Sequence, residues 1–68
     1  MRTYGRLREA IKEKFGKRVD FADALGIDPS SLSKKLNSRV PWTQYEIEDA
    51  CRLLNIPLEK VADYFFYD

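Results

Sequence analysis

The chain has 68 residues, 34% of them charged and 44% hydrophobic, with a formal net charge of +1, no histidine and one cysteine. That length holds one small domain, residues 1–68, which buries only about 60% of the surface its unfolded chain exposes. No apolar run approaches the roughly 20 residues that span a bilayer, and a lone cysteine excludes an intramolecular disulfide.

Helical spacing recurs along the chain, and strand-like alternation does not. Tyr4, Leu7, Ile11 and Phe15 step by three and four. They predict a first helix over 3–15, with Thr3 as its N-cap and Gly16 as its stop. Val19, Ala22 and Leu25, with Phe21 alongside, predict a second helix over 18–25. Gly26 ends it in the left-handed conformation of a tight turn. Asp28 followed by Pro29 is a start signal, a capping carboxylate and then a proline at the first helical position. The third helix runs over 29–37, with Leu32 and Leu36 facing inward.

Residues 38–41 read as a loop. Thr43 and Glu46 are spaced as a capping box, with Trp42 and Ile47 as a hydrophobic staple across it. The fourth helix, 43–54, buries Ile47, Ala50, Cys51 and Leu54, and Asn55 terminates it. Pro57 opens a fifth, 58–65, through Leu58, Val61 and Phe65. The expected fold is all-α, compact and five-helical. The N-terminus lacks the apolar segment of a signal peptide, so the expected location is the cytoplasm.

Net charge conceals a division along the chain. Residues 1–40 hold ten Lys/Arg against five Asp/Glu, and residues 41–68 hold two against six. A basic half of this kind points to a polyanion. The segment from Phe21 to Asn37 gives that charge a shape. Ala22 is small enough for two helices to cross closely, Gly26 makes the turn, and Ile27 and Leu32 plug the angle. This is a helix-turn-helix arrangement, whose second helix lies in the major groove of DNA. That helix turns outward Pro29, Ser30, Ser31, Ser33, Lys34 and Asn37, with Lys35 at its flank. Serine hydroxyls bond several base edges, and Lys34 reaches guanine O6/N7 or a phosphate. Lys17 and Arg18 stand where a DNA backbone would pass, and Lys35 and Arg39 extend the basic surface. The other cations, Arg2, Arg6, Arg8, Lys12 and Lys14, read as solvated and paired with Glu9 and Glu13.

Residues 22–33 (ADALGIDPSSLS), Pro41 and residues 53–61 (LLNIPLEKV) resemble the Cro/CI-type (XRE-type) helix-turn-helix domain of phage and bacterial repressors, over about residues 4–64. The resemblance implies a lambda-repressor-like five-helix domain from a small phage- or prophage-encoded regulator, acting in a bacterial cell or a phage-infected host. It implies base contacts from Ser30, Ser31, Ser33 and Lys34, and phosphate or flanking contacts from Arg18, Asn37 and Arg39. Two departures stand out. Arg18 replaces a glutamine that docks the backbone, and Lys35 occupies an apolar position, which implies a slightly rotated third helix.

The end of the chain, Tyr64-Phe65-Phe66-Tyr67, places four aromatics after a domain that already has a core. Phe65 closes that core. Tyr64, Phe66 and Tyr67 read either as a dimer seam or as packing against the first helix. The expected function is a sequence-specific regulator of transcription that binds double-stranded DNA as a homodimer on a palindromic operator. The alternative is a protein-interaction module, antirepressor- or antitoxin-like, that binds another regulator through the aromatic tail. An enzyme is not expected, nor a metal, cofactor or small-molecule ligand: there is no histidine, paired carboxylate, Gly-rich phosphate loop or metal-ligand spacing.

Overall fold

The computed structural model describes residues 2–67. Five α-helices follow in order, α1 (Gly5–Phe15), α2 (Arg18–Leu25), α3 (Pro29–Leu36), α4 (Gln44–Leu54) and α5 (Val61–Phe65), with a single 3₁₀ turn (Leu58–Lys60) leading into α5. No strand occurs among the described residues, and the protein is a small all-α domain.

The helices surround one apolar core. Leu7 and Ile11 of α1, Phe21 and Ala22 of α2, Leu32 and Leu36 of α3, Ala50 and Leu54 of α4 and Phe65 of α5 are all buried. Ring contacts connect the layers: Phe15 stands edge-on to Phe21 at 5.3 Å, and Trp42 stands edge-on to Phe65 at 5.3 Å and to Tyr4 at 6.3 Å. Such offset rings add about 1 kcal/mol each beyond the area they bury. Cys51 is buried on the α4 stripe, and burial pushes its thiol up, so it is a protonated packing residue.

The helix ends show which local signals operate. Gly26 adopts φ 82°, and the Ile27 N–H donates to the Ala22 carbonyl at 3.0 Å, so α2 closes as the glycine predicts. Asn55 takes φ 55° and closes α4 in the same way. Thr43 and Glu46 form a complete capping box, with Glu46 N–H on Thr43 Oγ1 at 3.1 Å and Thr43 N–H on Glu46 Oε1 at 2.9 Å.

Several expectations need correction. Thr3 is not the N-cap of α1: Tyr4 precedes the helix in a left-handed conformation, φ 55° and ψ 40°, with its ring buried against Trp42. This bend folds Arg2 and Thr3 back over the rest of the molecule. Asp28 stands at the N-cap position of α3 in extended conformation, but its carboxylate makes no capping hydrogen bond. Val19 is 50% exposed, because the eight residues of α2 turn Phe21 and Ala22 to the core instead. Leu58 is 84% exposed, because the 3₁₀ turn carries it outward, while Ile56 supplies the apolar contact at that corner.

Candidate nucleic-acid interface

The α2–turn–α3 unit gives α3 two unlike faces. Leu32, Lys35 and Leu36 point inward, while Ser30 and Lys34 are exposed and Ser31 and Ser33 are half-buried. Three residues, Gly26-Ile27-Asp28, separate the two helices. No acidic side chain lies on α3 itself.

Lys35 does not belong to the exposed surface, contrary to the expectation that it meets a nucleic-acid backbone. It is 6% exposed, and its Nζ lies 2.8 Å from Glu46 Oε1 and donates to the Pro41 carbonyl at 3.1 Å. The lysine occupies the apolar slot, and the charge it brings there is answered by the carboxylate of the α4 capping box. Leu36 beside it is fully buried as well. Burial alone would raise the Glu46 carboxyl, but hydrogen bonds from Lys35 and the Thr43 N–H, with the Lys35 charge, hold it below its ordinary value. The sequence offers the two partners, a cation at an apolar position and a carboxylate in the α4 capping box, but only the packing of α4 on α3 brings them together.

Arg8 has a structural role that its sequence position does not announce. It does not pair with Glu9 or Glu13. Its Nε donates to the Thr3 carbonyl at 2.7 Å, and its Nη2 to the Leu36 carbonyl at 2.7 Å and to Asn37 Oδ1 at 3.0 Å. A guanidinium thus satisfies a carbonyl at the C-terminus of α3, where positive charge is favoured by the helix dipole. Asn37 in turn donates to Ser33 Oγ at 3.4 Å. Ser38 takes φ 60°, the Arg39 N–H closes onto the Lys34 carbonyl at 2.8 Å, and Ser38 Oγ donates to the Arg2 carbonyl at 2.7 Å. Arg2 Nε donates to the Phe66 carbonyl at 3.0 Å, and its guanidinium lies 5.7 Å from the Phe66 ring centroid. The exit of α3 is therefore held by the N-terminal segment.

Of the ten cations in residues 1–40, two form ion pairs among the described residues, Arg6 with Asp63 at 3.8 Å and Lys35 with Glu46. Lys17, Arg18, Lys34 and Arg39 are exposed and have no ion-pair or hydrogen-bond partner for their side chains among those residues. Two depressions share Arg8: one is lined also by Lys12, Arg18 and a single carboxylate, Glu9, the other by Arg2, Asn37 and Arg39. These neighbours make a predominantly basic surface between the start of α2 and the segment after α3, with Glu9 as its one acid. At the opposite end of the chain, Phe66 and Tyr67 are exposed, while Tyr64 is half-buried and packs on the core.

No group of three or more His, Cys, Asp or Glu among the described residues is arranged to hold a metal ion, and no described helix is long and apolar enough to cross a membrane. No curated protein matches the chain. A family model matches residues 2–68, and the chain belongs to that family, DUF739, described as a protein of unknown function.

Proposed function

We propose that the protein is a sequence-specific regulator of transcription that binds double-stranded DNA with α3 in the major groove. The observation that carries this reading is the set of four exposed cations, Lys17, Arg18, Lys34 and Arg39, unpaired among the described residues and flanking an acid-free outer face of α3. Ser30, Ser31, Ser33 and Lys34 meet base edges, and Lys17, Arg18, Asn37 and Arg39 meet phosphates. Lys35 has no part in the contact. The resemblance of the α2–α3 segment to Cro/CI-type (XRE-type) repressors supports the same reading and a phage or prophage source. Occupancy of an operator would act sterically, by blocking or redirecting polymerase. Two copies on a palindrome set their α3 helices about one helical turn apart, roughly 34 Å.

Selection of bound sequences from a random DNA pool tests the proposal, together with binding to mixed-sequence DNA at several salt concentrations. An enriched palindrome is expected, with a log–log salt slope of roughly −0.9 per phosphate contact. Absence of binding at low salt, or equal binding by the wild type and a Lys34→Ala/Arg39→Ala double variant, overturns it. The exposed apolar surface around Leu58, Phe66 and Tyr67 favours a second reading, an antirepressor- or antitoxin-like module that binds another regulator. Capture of a protein partner by a chain that binds no DNA would replace the first reading with the second.

A further inference from the structure

Arg2, Arg8 and Arg39 line one depression of about 640 Å³, with Leu36 and Asn37 among its other walls. That volume suits a ligand of nucleotide size. None of the lining residues is acidic. Two further depressions along α1 differ in this respect. Glu9 accompanies Lys12 and Arg18 in one, and Glu9 and Glu13 accompany Arg6 in the other. The charge of Arg2, Arg8 and Arg39 is thus unanswered within their own depression.

Two of the three guanidinia are already held in place by the chain. Arg8 spends Nε on the Thr3 carbonyl and Nη2 on the Leu36 carbonyl and Asn37 Oδ1. Arg2 spends Nε on the Phe66 carbonyl, with its guanidinium beside the Phe66 ring. Arg8 Nη1 and both Nη atoms of Arg2 form no hydrogen bond among the described residues, and neither does the side chain of Arg39. A guanidinium anchored at one edge loses less freedom when its other edge meets a ligand. Its fork of N–H donors matches the oxygens of a phosphate. Charge density then selects among phosphates. A DNA duplex spreads one negative charge per roughly 3.4 Å along each strand, while a single phosphomonoester carries up to about −2. A pyrophosphate group sets its charges on adjacent phosphorus atoms. Three guanidinia around one hollow exceed what one phosphodiester needs and suit that concentrated charge.

We propose that this depression binds the polyphosphate group of a free nucleoside di- or triphosphate. Binding stands without DNA. Its consequence rests on the proposed function: Asn37 and Arg39 serve both ligands there, so the nucleotide and DNA exclude one another at the exit of α3. Titration calorimetry of the full chain without DNA tests the site, at about 150 mM salt, where diffuse attraction is screened, with circular dichroism to verify folding. ATP and inorganic pyrophosphate are expected to bind one per chain, and adenosine not to bind. Arg2→Ala and Arg39→Ala are each expected to weaken ATP about tenfold. Lys17→Ala and Lys34→Ala, exposed cations outside the depression, are expected to change it less than about twofold. Failure of both ATP and pyrophosphate to bind at millimolar concentration overturns the proposal, and so does an equal loss at all four cations. At matched ionic strength, ATP is expected to displace mixed-sequence duplex DNA from the wild type but not from Arg2→Ala. A chain that binds ATP and no DNA leaves the site intact and removes the DNA reading. DNA binding weakened by Arg2→Ala, with no binding of ATP or pyrophosphate, gives the depression to the DNA backbone and overturns the proposal.

Discussion

The two faces of α3 carry adjacent lysines with opposite roles. Lys34 is exposed and bonded to no described side chain, whereas Lys35 is buried on Glu46 and the Pro41 carbonyl. The outer face is free to be chemically specific because the inner face is over-determined. Leu32 and Leu36 fill the core, Glu46 and Pro41 hold Lys35, and Arg8 holds the Leu36 carbonyl. A short helix of eight residues has little stability by itself, so its orientation comes from tertiary contacts. On the proposed reading, the exposed Ser30 and Lys34 contribute little to stability, while the buried Leu32, Lys35 and Leu36 fix the orientation of α3.

Substitutions at the two lysines test this contrast most directly. Lys35→Ala leaves Glu46 without its cation and opens a cavity, and is expected to cost about 3 kcal/mol. In a domain this small that corresponds to a fall in Tm of roughly 10 °C or more, readable by thermal melting. Lys34→Ala is expected to leave stability unchanged within about 0.5 kcal/mol. A comparable loss of stability at both positions would break the comparison.

Arg8→Ala removes three hydrogen bonds that tie α1 and the N-terminal segment to the exit of α3. The expected cost is about 2 kcal/mol. Arg8→Lys is expected to recover little, since an ammonium lacks the planar fork that serves several acceptors at once. Chemical denaturation measures both.

The exposed cations sharpen the other side of the contrast. Single Ala substitutions at Lys17, Arg18, Lys34 or Arg39 are each expected to reduce the salt slope of DNA binding by about one. Those at Lys17, Arg18 and Arg39 are expected to weaken all sequences alike, with folding unchanged. Lys34→Ala is expected in addition to relax the preference among sequences.

Acid isolates the Lys35–Glu46 pair. Glu46 has a folded pKa below its ordinary value of 4.5, so the unfolded chain binds its proton more readily than the native one. Its contribution to stability is complete above about pH 4.5 and is lost as pH falls through the lowered folded value. Glu46→Gln is expected to be less stable near neutrality and to show a shallower loss in acid, measured by denaturation at a series of pH values.

The smallest expected effect is Ser38→Gly. Relief of the left-handed serine gains about 1 kcal/mol, and loss of its bond to the Arg2 carbonyl costs about as much. Stability should therefore change by no more than about 0.5 kcal/mol.

The helix count, the turn at Gly26, the capping box of Thr43 and Glu46 and the inward Leu32 and Leu36 are all legible in the order of residues. Each depends on residues within a few positions of one another, through spacing, caps and backbone preference. The opposed charges of the two halves were equally legible. Packing between distant segments is what makes Lys35 an internal residue and Arg8 a clamp. Their partners lie far along the chain: Arg8 meets Leu36 and Asn37 from α1, and Lys35 meets Glu46 on α4. The same holds for Leu58, which local spacing directs inward and the 3₁₀ turn directs outward. A charged side chain has one local pattern whether it faces water or a buried partner. The choice belongs to the packing that brings the partner within reach.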